Sequence, residues 1–164
     1  MSENQKKIWI TGASSGIGKA AAEKFAKEGW KVAVSARRKV LLDELAKDQN
    51  ITSFPLDVTN RDQINKVFKS ILNEFGDLDI CLFSSGTYEP KDEKNIDPDK
   101  IKNVMNVNFL GVIDCVKAVE DFFKNKQSGH ISIVSSIAGY RGCLLYTSDA
   151  ADEGLGVDLG GRRI

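Results

Sequence analysis

The sequence predicts an α/β domain with a doubly wound parallel sheet. Apolar runs alternate with segments of helical period along most of the chain. The first run, Ile8-Trp9-Ile10, leads into a glycine-rich turn, which opens an amphipathic segment. Regular strand–helix–strand alternation implies right-handed crossovers, parallel strands and helices on both faces of one sheet.

Strands are expected at Lys7–Thr11, Lys31–Ala36, Ile51–Leu56, Ile80–Ser84 and His130–Ser135, in spatial order 3-2-1-4-5. The first helix would bury Ile17, Ala20, Ala21 and Phe25, with Glu23 and Lys27 as an i,i+4 ion pair. Arg61–Phe75 sets Ile64, Val67, Phe68, Ile71, Leu72 and Phe75 on one stripe, and Thr59 or Asn60 precedes it as N-cap. Asp99–Lys124 repeats the pattern with Ile101, Val104, Met105, Cys115, Val119 and Phe122. Tyr88–Pro98, polar with two prolines, reads as an exposed loop.

Composition narrows the function classes. The 164 residues suit one domain, and 23 basic side chains balance 23 acidic ones. Nothing suggests a nucleic-acid or membrane surface. No apolar run is long enough to span a bilayer, and the N-terminus has no signal-peptide core, so a cytoplasmic location is expected. Cys81, Cys115 and Cys143 lack zinc-ligand spacing, and no metal site is expected; the first two read as buried reduced thiols.

The chemistry starts at Thr11-Gly12-Ala13-Ser14-Ser15-Gly16-Ile17-Gly18. Gly12 suits the positive φ of a tight turn, Gly16 lets a ligand approach the backbone, and Gly18 lets helix and strand pack closely. The helix N-terminus then offers unpaired N–H groups and a positive dipole end to an anion such as a pyrophosphate. The other reading of such a trio is a plain turn with glycine caps. At the end of the second strand, Ser35-Ala36-Arg37-Arg38 holds no carboxylate. An acid there would bond a ribose 2′-hydroxyl, whereas a guanidinium attracts a 2′-phosphate, so NADP is favoured over NAD. Alternatively, both arginines are solvated charges opening the next helix.

Thr-Gly-x-x-x-Gly-x-Gly at 11–18, Asp57-Val58, Asn106-Val107-Asn108 and Ser135-Ser136-Ile137-Ala138-Gly139 occur in this order. Together they resemble the short-chain dehydrogenase/reductases over residues 7–142, which implies a Rossmann-like domain at 1–142. The resemblance implies hydride transfer between a nicotinamide coenzyme and a carbonyl or alcohol carbon. By that likeness Gly12, Ser15, Gly16, Ile17, Gly18 and Gly86 would border the coenzyme. Arg37 would hold the 2′-phosphate, with Ser14 assisting. Asp57 would bond the adenine amino group, or else be a turn aspartate before Thr59, and Val58 would pack on the ring. Ser136 would hydrogen-bond the substrate oxygen, and Asn108 would back a proton-relay water. Phe83-Ser84-Ser85-Gly86 stands where the family carries Asn-Asn-Ala-Gly, so the polar support of the central strand must be made differently.

The pattern breaks further on. The positions of the family's general-acid tyrosine and its lysine hold Asp149 and Glu153; Tyr146 is out of place, and no lysine follows Lys126. Residues 143–164, from Cys143-Leu-Leu-Tyr-Thr-Ser to Gly-Gly-Arg-Arg-Ile164, resemble a translated adapter from a transposase-based sequencing library. They are read as an artefactual tail with no domain, attached to a sheet truncated after its fifth strand. This chain is therefore expected to be inactive as written, with a bare strand edge that favours aggregation. Its full-length parent would act on a small carbonyl or alcohol substrate, without nucleic acid or membrane, as a homo-oligomer. Two alternatives remain: a non-catalytic NADP-binding sensor or interaction module, and a doubly wound domain for some other phosphate-bearing ligand.

Overall fold

The computed structural model describes residues 5–88 and 97–136. It divides into two compact units, Met1–Val134 and Ser135–Ile164; in the second, only Ser135 and Ser136 are described. Five strands, β1 (Lys7–Thr11), β2 (Lys31–Ser35), β3 (Ile51–Ser53), β4 (Ile80–Phe83) and β5 (His130–Ile133), form one parallel sheet in the order β3-β2-β1-β4-β5. The predicted order and fold class are those found. Ile8, Trp9 and Ile10 are all buried, as expected of a central strand covered on both faces.

Each face of the sheet has its own core. Ile8, Ile10, Val32 and Val34 pack with α1 (Gly16–Lys27) and α2 (Lys39–Leu45). Trp9, Ala33, Cys81 and Phe83 pack with α3 (Arg61–Phe75) and α5 (Gly111–Lys126). Trp9 anchors the second core, stacked on Phe68 at 6.0 Å and edge-on to Phe83 at 5.7 Å. Its indole N–H donates to Ser35 Oγ at 2.9 Å, so its polar edge is satisfied at zero exposure.

Helix α3 has its predicted bounds. Asn60 is the N-cap, accepting from Gln63 N at 3.0 Å, while Gly76 closes the helix at φ 76°. Ile64, Phe68, Ile71 and Phe75 are buried; Val67 and Leu72 lie at the core's margin.

Three expectations need correction. In α1 the buried residues are Gly18, Ala22 and Ala26; of the expected face, Ala21 and Phe25 are half-buried against the same core, whereas Ala20 is exposed and Ile17 is 64% exposed. Close approach to the sheet admits only small side chains at the centre of that face, with Phe25 at its margin, which hydrophobicity alone does not reveal. Glu23 pairs with Lys19 at 3.7 Å rather than with Lys27. The long helix is broken into α4 (Pro98–Met105), a π-helical turn (Asn106–Leu110) and α5. That wider turn changes the register, so Val107, Val112, Cys115 and Val119 are buried while Ile101 and Met105 are 48% exposed.

Strand β1 has its predicted bounds, whereas β2 to β5 end short of theirs. Past Ser53 the chain still donates Phe54 N to Val34 O at 2.9 Å and Leu56 N to Ala36 O at 3.0 Å, on either side of Pro55. Val134 N likewise donates to Phe83 O at 2.9 Å. The tail at 143–164 and residues 89–96 of the predicted loop Tyr88–Pro98 lie outside the described residues, and Pro98 opens α4 rather than closing the loop.

Candidate functional site

The strand order reverses between β1 and β4, and a crevice opens at the carboxyl ends of these strands, where open α/β sheets bind ligands. The cleft here is lined from one side by the glycine turn, from Gly12 to Gly18. Ala36, Arg37 and Arg38 line it from the end of β2, and Leu56, Asp57 and Val58 from beyond β3. Ser84, Ser85 and Gly86 follow β4, and Val107 comes from the π-helical turn.

The three glycines of the turn do different work. Gly12 has φ 71°, and a Cβ there would meet Ser84 O at 2.6 Å and Ser85 N at 2.7 Å. Gly18 is as confined, since a Cβ would lie 2.6 Å from both Gly12 O and Ser84 Oγ. Gly16, at φ 57°, has open space where its Cβ would be. Packing therefore demands glycine at 12 and 18, while at 16 backbone conformation and access to the cleft do so. The N-cap of α1, Ser15, makes no side-chain cap, and no acidic residue occupies the first turn. An anion would find the helix N-terminus available, so these residues fit a diphosphate group.

The sequence singles out Arg37, but it is the guanidinium of Arg38 that reaches across the turn. Its Nη2 donates to Ser14 Oγ and Ser15 Oγ, each at 2.9 Å. Arg37 also lines the cleft. Two adjacent arginines look alike in a string, and only the direction of the chain leaving β2 distinguishes them.

Asp57 Oδ1 accepts from Thr59 N at 2.9 Å and from Thr59 Oγ1 at 2.8 Å, the turn role weighed for it above. Its position on the cleft wall is compatible with a second contact. Val58 is 8% exposed beside it.

Asn108 lies in the π-helical turn, where its amide clamps one residue of the chain leaving β4. Oδ1 accepts from Thr87 N at 2.7 Å, and Nδ2 donates to Thr87 O at 2.8 Å. Gly86 passes just beneath, its Cβ position 3.9 Å from Asn108 Oδ1. The missing asparagines after β4 are replaced by a different device: Phe83 packs on Trp9, and Ser84 Oγ donates to Thr11 O at 2.8 Å.

Ser136 is exposed and belongs to the unit Ser135–Ile164. Asp149 and Glu153 lie outside the described residues. Cys81 and Cys115 are buried free thiols whose pKa values are raised mainly by loss of hydration, Cys115 to about 12; nucleophilic roles do not suit them. Among the described residues, no helix is long and apolar enough to cross a membrane.

Comparison with known proteins agrees with this geometry. The family model for short chain dehydrogenases matches residues 6–151. Mouse dehydrogenase/reductase SDR family member 7 is 32% identical over 141 residues, which is 80% of this chain and 42% of the relative. A short-chain dehydrogenase from Streptomyces avermitilis superposes with a TM-score of 0.78 at 28% identity, covering 85% of this chain and 52% of that one. ElxO, solved with NADP bound, gives the same TM-score and identity over 85% of this chain and 58% of its own. The chain spans about half the length of the curated relatives it matches.

Proposed function

The chain belongs to the short-chain dehydrogenase family, and from that premise we propose that its cleft binds NADP(H) in an oxidoreductase acting on a carbonyl or alcohol substrate. The observation that carries this reading is Arg38 drawn over Ser14 and Ser15 at the mouth of an open glycine turn. A guanidinium there suits a ribose 2′-phosphate better than a 2′-hydroxyl. NADP bound to ElxO supports the same coenzyme. When bound, the nicotinamide supplies the hydride or accepts it.

The chain's own residues bind and orient. N–H groups at the start of α1 hold the diphosphate, with Gly16 leaving room for it. Arg37 and Arg38 grip the 2′-phosphate with help from Ser14. Asp57 takes the adenine amino group through its carboxylate, and Val58 packs on the ring. Backbone at Ser85 and Gly86 borders the coenzyme. Ser136 would donate to the substrate oxygen. Asn108 acts in this scheme by holding Thr87, which fixes the floor beside the reacting carbon, and by backing a proton-relay water.

A second reading has its own support: Asp149 and Glu153 stand where the family's acid and lysine belong, so the 164-residue chain would bind coenzyme without turnover. The parent protein is proposed as a cytoplasmic homo-oligomer. Reduced Cys81 and Cys115 suit that compartment. Exposed Ile101, Met105, Phe109 and Ile113 suit a helix that packs on a second copy.

The test is a titration of nicotinamide fluorescence with NADPH and NADH. Wild type should prefer NADPH by at least about tenfold, the value of one charge-assisted contact. Arg37→Asp and Arg38→Ala should each shrink that preference. Equal affinity for both coenzymes in all three proteins overturns the NADP assignment.

A further inference from the structure

Ser84, the first residue past β4, touches both ends of the glycine turn. Its hydroxyl donates to Thr11 O at 2.8 Å. The same oxygen lies 2.6 Å from where a Cβ on Gly18 would stand, and its carbonyl lies 2.6 Å from the equivalent point on Gly12. Thr11 itself is 1% exposed, and among the described residues its Oγ1 is a buried side-chain oxygen without a hydrogen-bond partner. The end of β1 is therefore tied to β4 through its carbonyl and not through its side chain. A further tie of this turn to the sheet is Ala13 N to Ser35 O, at 3.2 Å on the β2 side.

We infer that Ser84 is a positioning residue for coenzyme binding: it sets the height of the glycine turn above the sheet, and with it the N–H groups that meet the diphosphate. Serine meets two demands at once. It carries a donor for Thr11 O, and it is short enough to lie against Gly18. This inference rests on the coenzyme reading above.

It also predicts a pattern that a general loss of stability would not give. Both NADPH and NADH carry the diphosphate, so losing Ser84 Oγ should weaken both equally. The preference between them, set by Arg37 and Arg38, should stay the same.

The experiment compares wild type, Ser84→Ala and a core control, Val119→Ala, by fluorescence titration with each coenzyme and by thermal melting without it. Val119 is fully buried and remote from the cleft. Ser84→Ala should bind NADPH and NADH about fivefold more weakly, the value of one hydrogen bond, at an unchanged ratio. Val119→Ala should melt lower yet bind as wild type below its transition. Amide exchange at Ala13 in the coenzyme-free chain should quicken in Ser84→Ala and not in Val119→Ala. Wild-type affinity together with wild-type exchange at Ala13 in Ser84→Ala overturns the inference. A wild type that binds neither coenzyme refutes the functional reading instead, and the exchange measurement still decides whether Ser84 holds the turn.

Discussion

Replacing Gly16 with alanine separates the fold from the function more cleanly than any other single change. The residue sits at φ 57° with nothing within 4 Å of its Cβ position. The only stability cost is the left-handed backbone, roughly 1–2 kcal/mol for an L-residue. For a domain of this size that is roughly 3–8 °C in Tm. The new methyl would occupy the space that a diphosphate needs, displacing a charge-assisted hydrogen bond and lowering NADPH affinity about 10–100-fold. Gly12→Ala provides the contrast. It has the same backbone strain at φ 71°, and its Cβ would also lie 2.6–2.7 Å from three backbone atoms of Ser84 and Ser85. Neither strand end can yield without repacking, so the cost should be about 3 kcal/mol or more. The assay is circular-dichroism melting beside fluorescence titration of NADPH. Gly16→Ala that binds NADPH like wild type would refute the placement of the diphosphate. Gly16→Ala that melts as low as Gly12→Ala would refute the packing argument.

Two further predictions concern stability. Trp9→Phe removes the donor to Ser35 Oγ at zero exposure and opens a small void between Phe68 and Phe83. It should cost about 2–4 kcal/mol in urea unfolding, and adding Ser35→Ala should recover about 1 kcal/mol, because the Ser35 hydroxyl is then no longer left buried without its partner. Failure of the second substitution to recover anything would argue against that hydrogen bond. Glu120 is held at about 2 by hydrogen bonds from Lys117 and then Lys124. A depressed carboxylate contributes above its ordinary value, 4.5, and loses that contribution as pH falls toward 2. The Tm difference between wild type and Glu120→Gln should therefore close over that range, and it should narrow in high salt because the pair is exposed.

Much of this molecule is legible residue by residue. Helix α3 carries its cap, its stripe and its closing glycine within Asn60–Gly76, so local physics and tertiary packing agree there. Strand β1 is apolar at Ile8, Trp9 and Ile10 because it lies at the centre of the sheet, and the spacing of the glycines in the following turn is visible within eight residues, although the backbone of Ser84 and Ser85 is what confines Gly12. Helix α1 is less readable: its buried face is made of glycine and alanine, chosen for close approach rather than for hydrophobicity, so periodicity favoured the exposed Ile17. The long helix misled for another reason. A π-helical turn changes the residues per turn without leaving any mark in composition, so Cys115 and Val119 beyond it lie on the buried face as expected, while Ile101 and Met105 before it do not.

The sequence by itself determined the alternation of elements, the parallel sheet with its strand order, and the glycine turn that opens the first helix. These depend on short-range pattern and on the handedness of crossovers, both of which are local properties of an L-polypeptide. Only the tertiary structure decided that Arg38 reaches Ser14 and Ser15, that Asn108 holds Thr87, and that Ser84 supports Thr11. Each of these joins residues 21 to 73 positions apart, brought together by the common convergence of strand ends on one crevice. No window along the chain contains both partners.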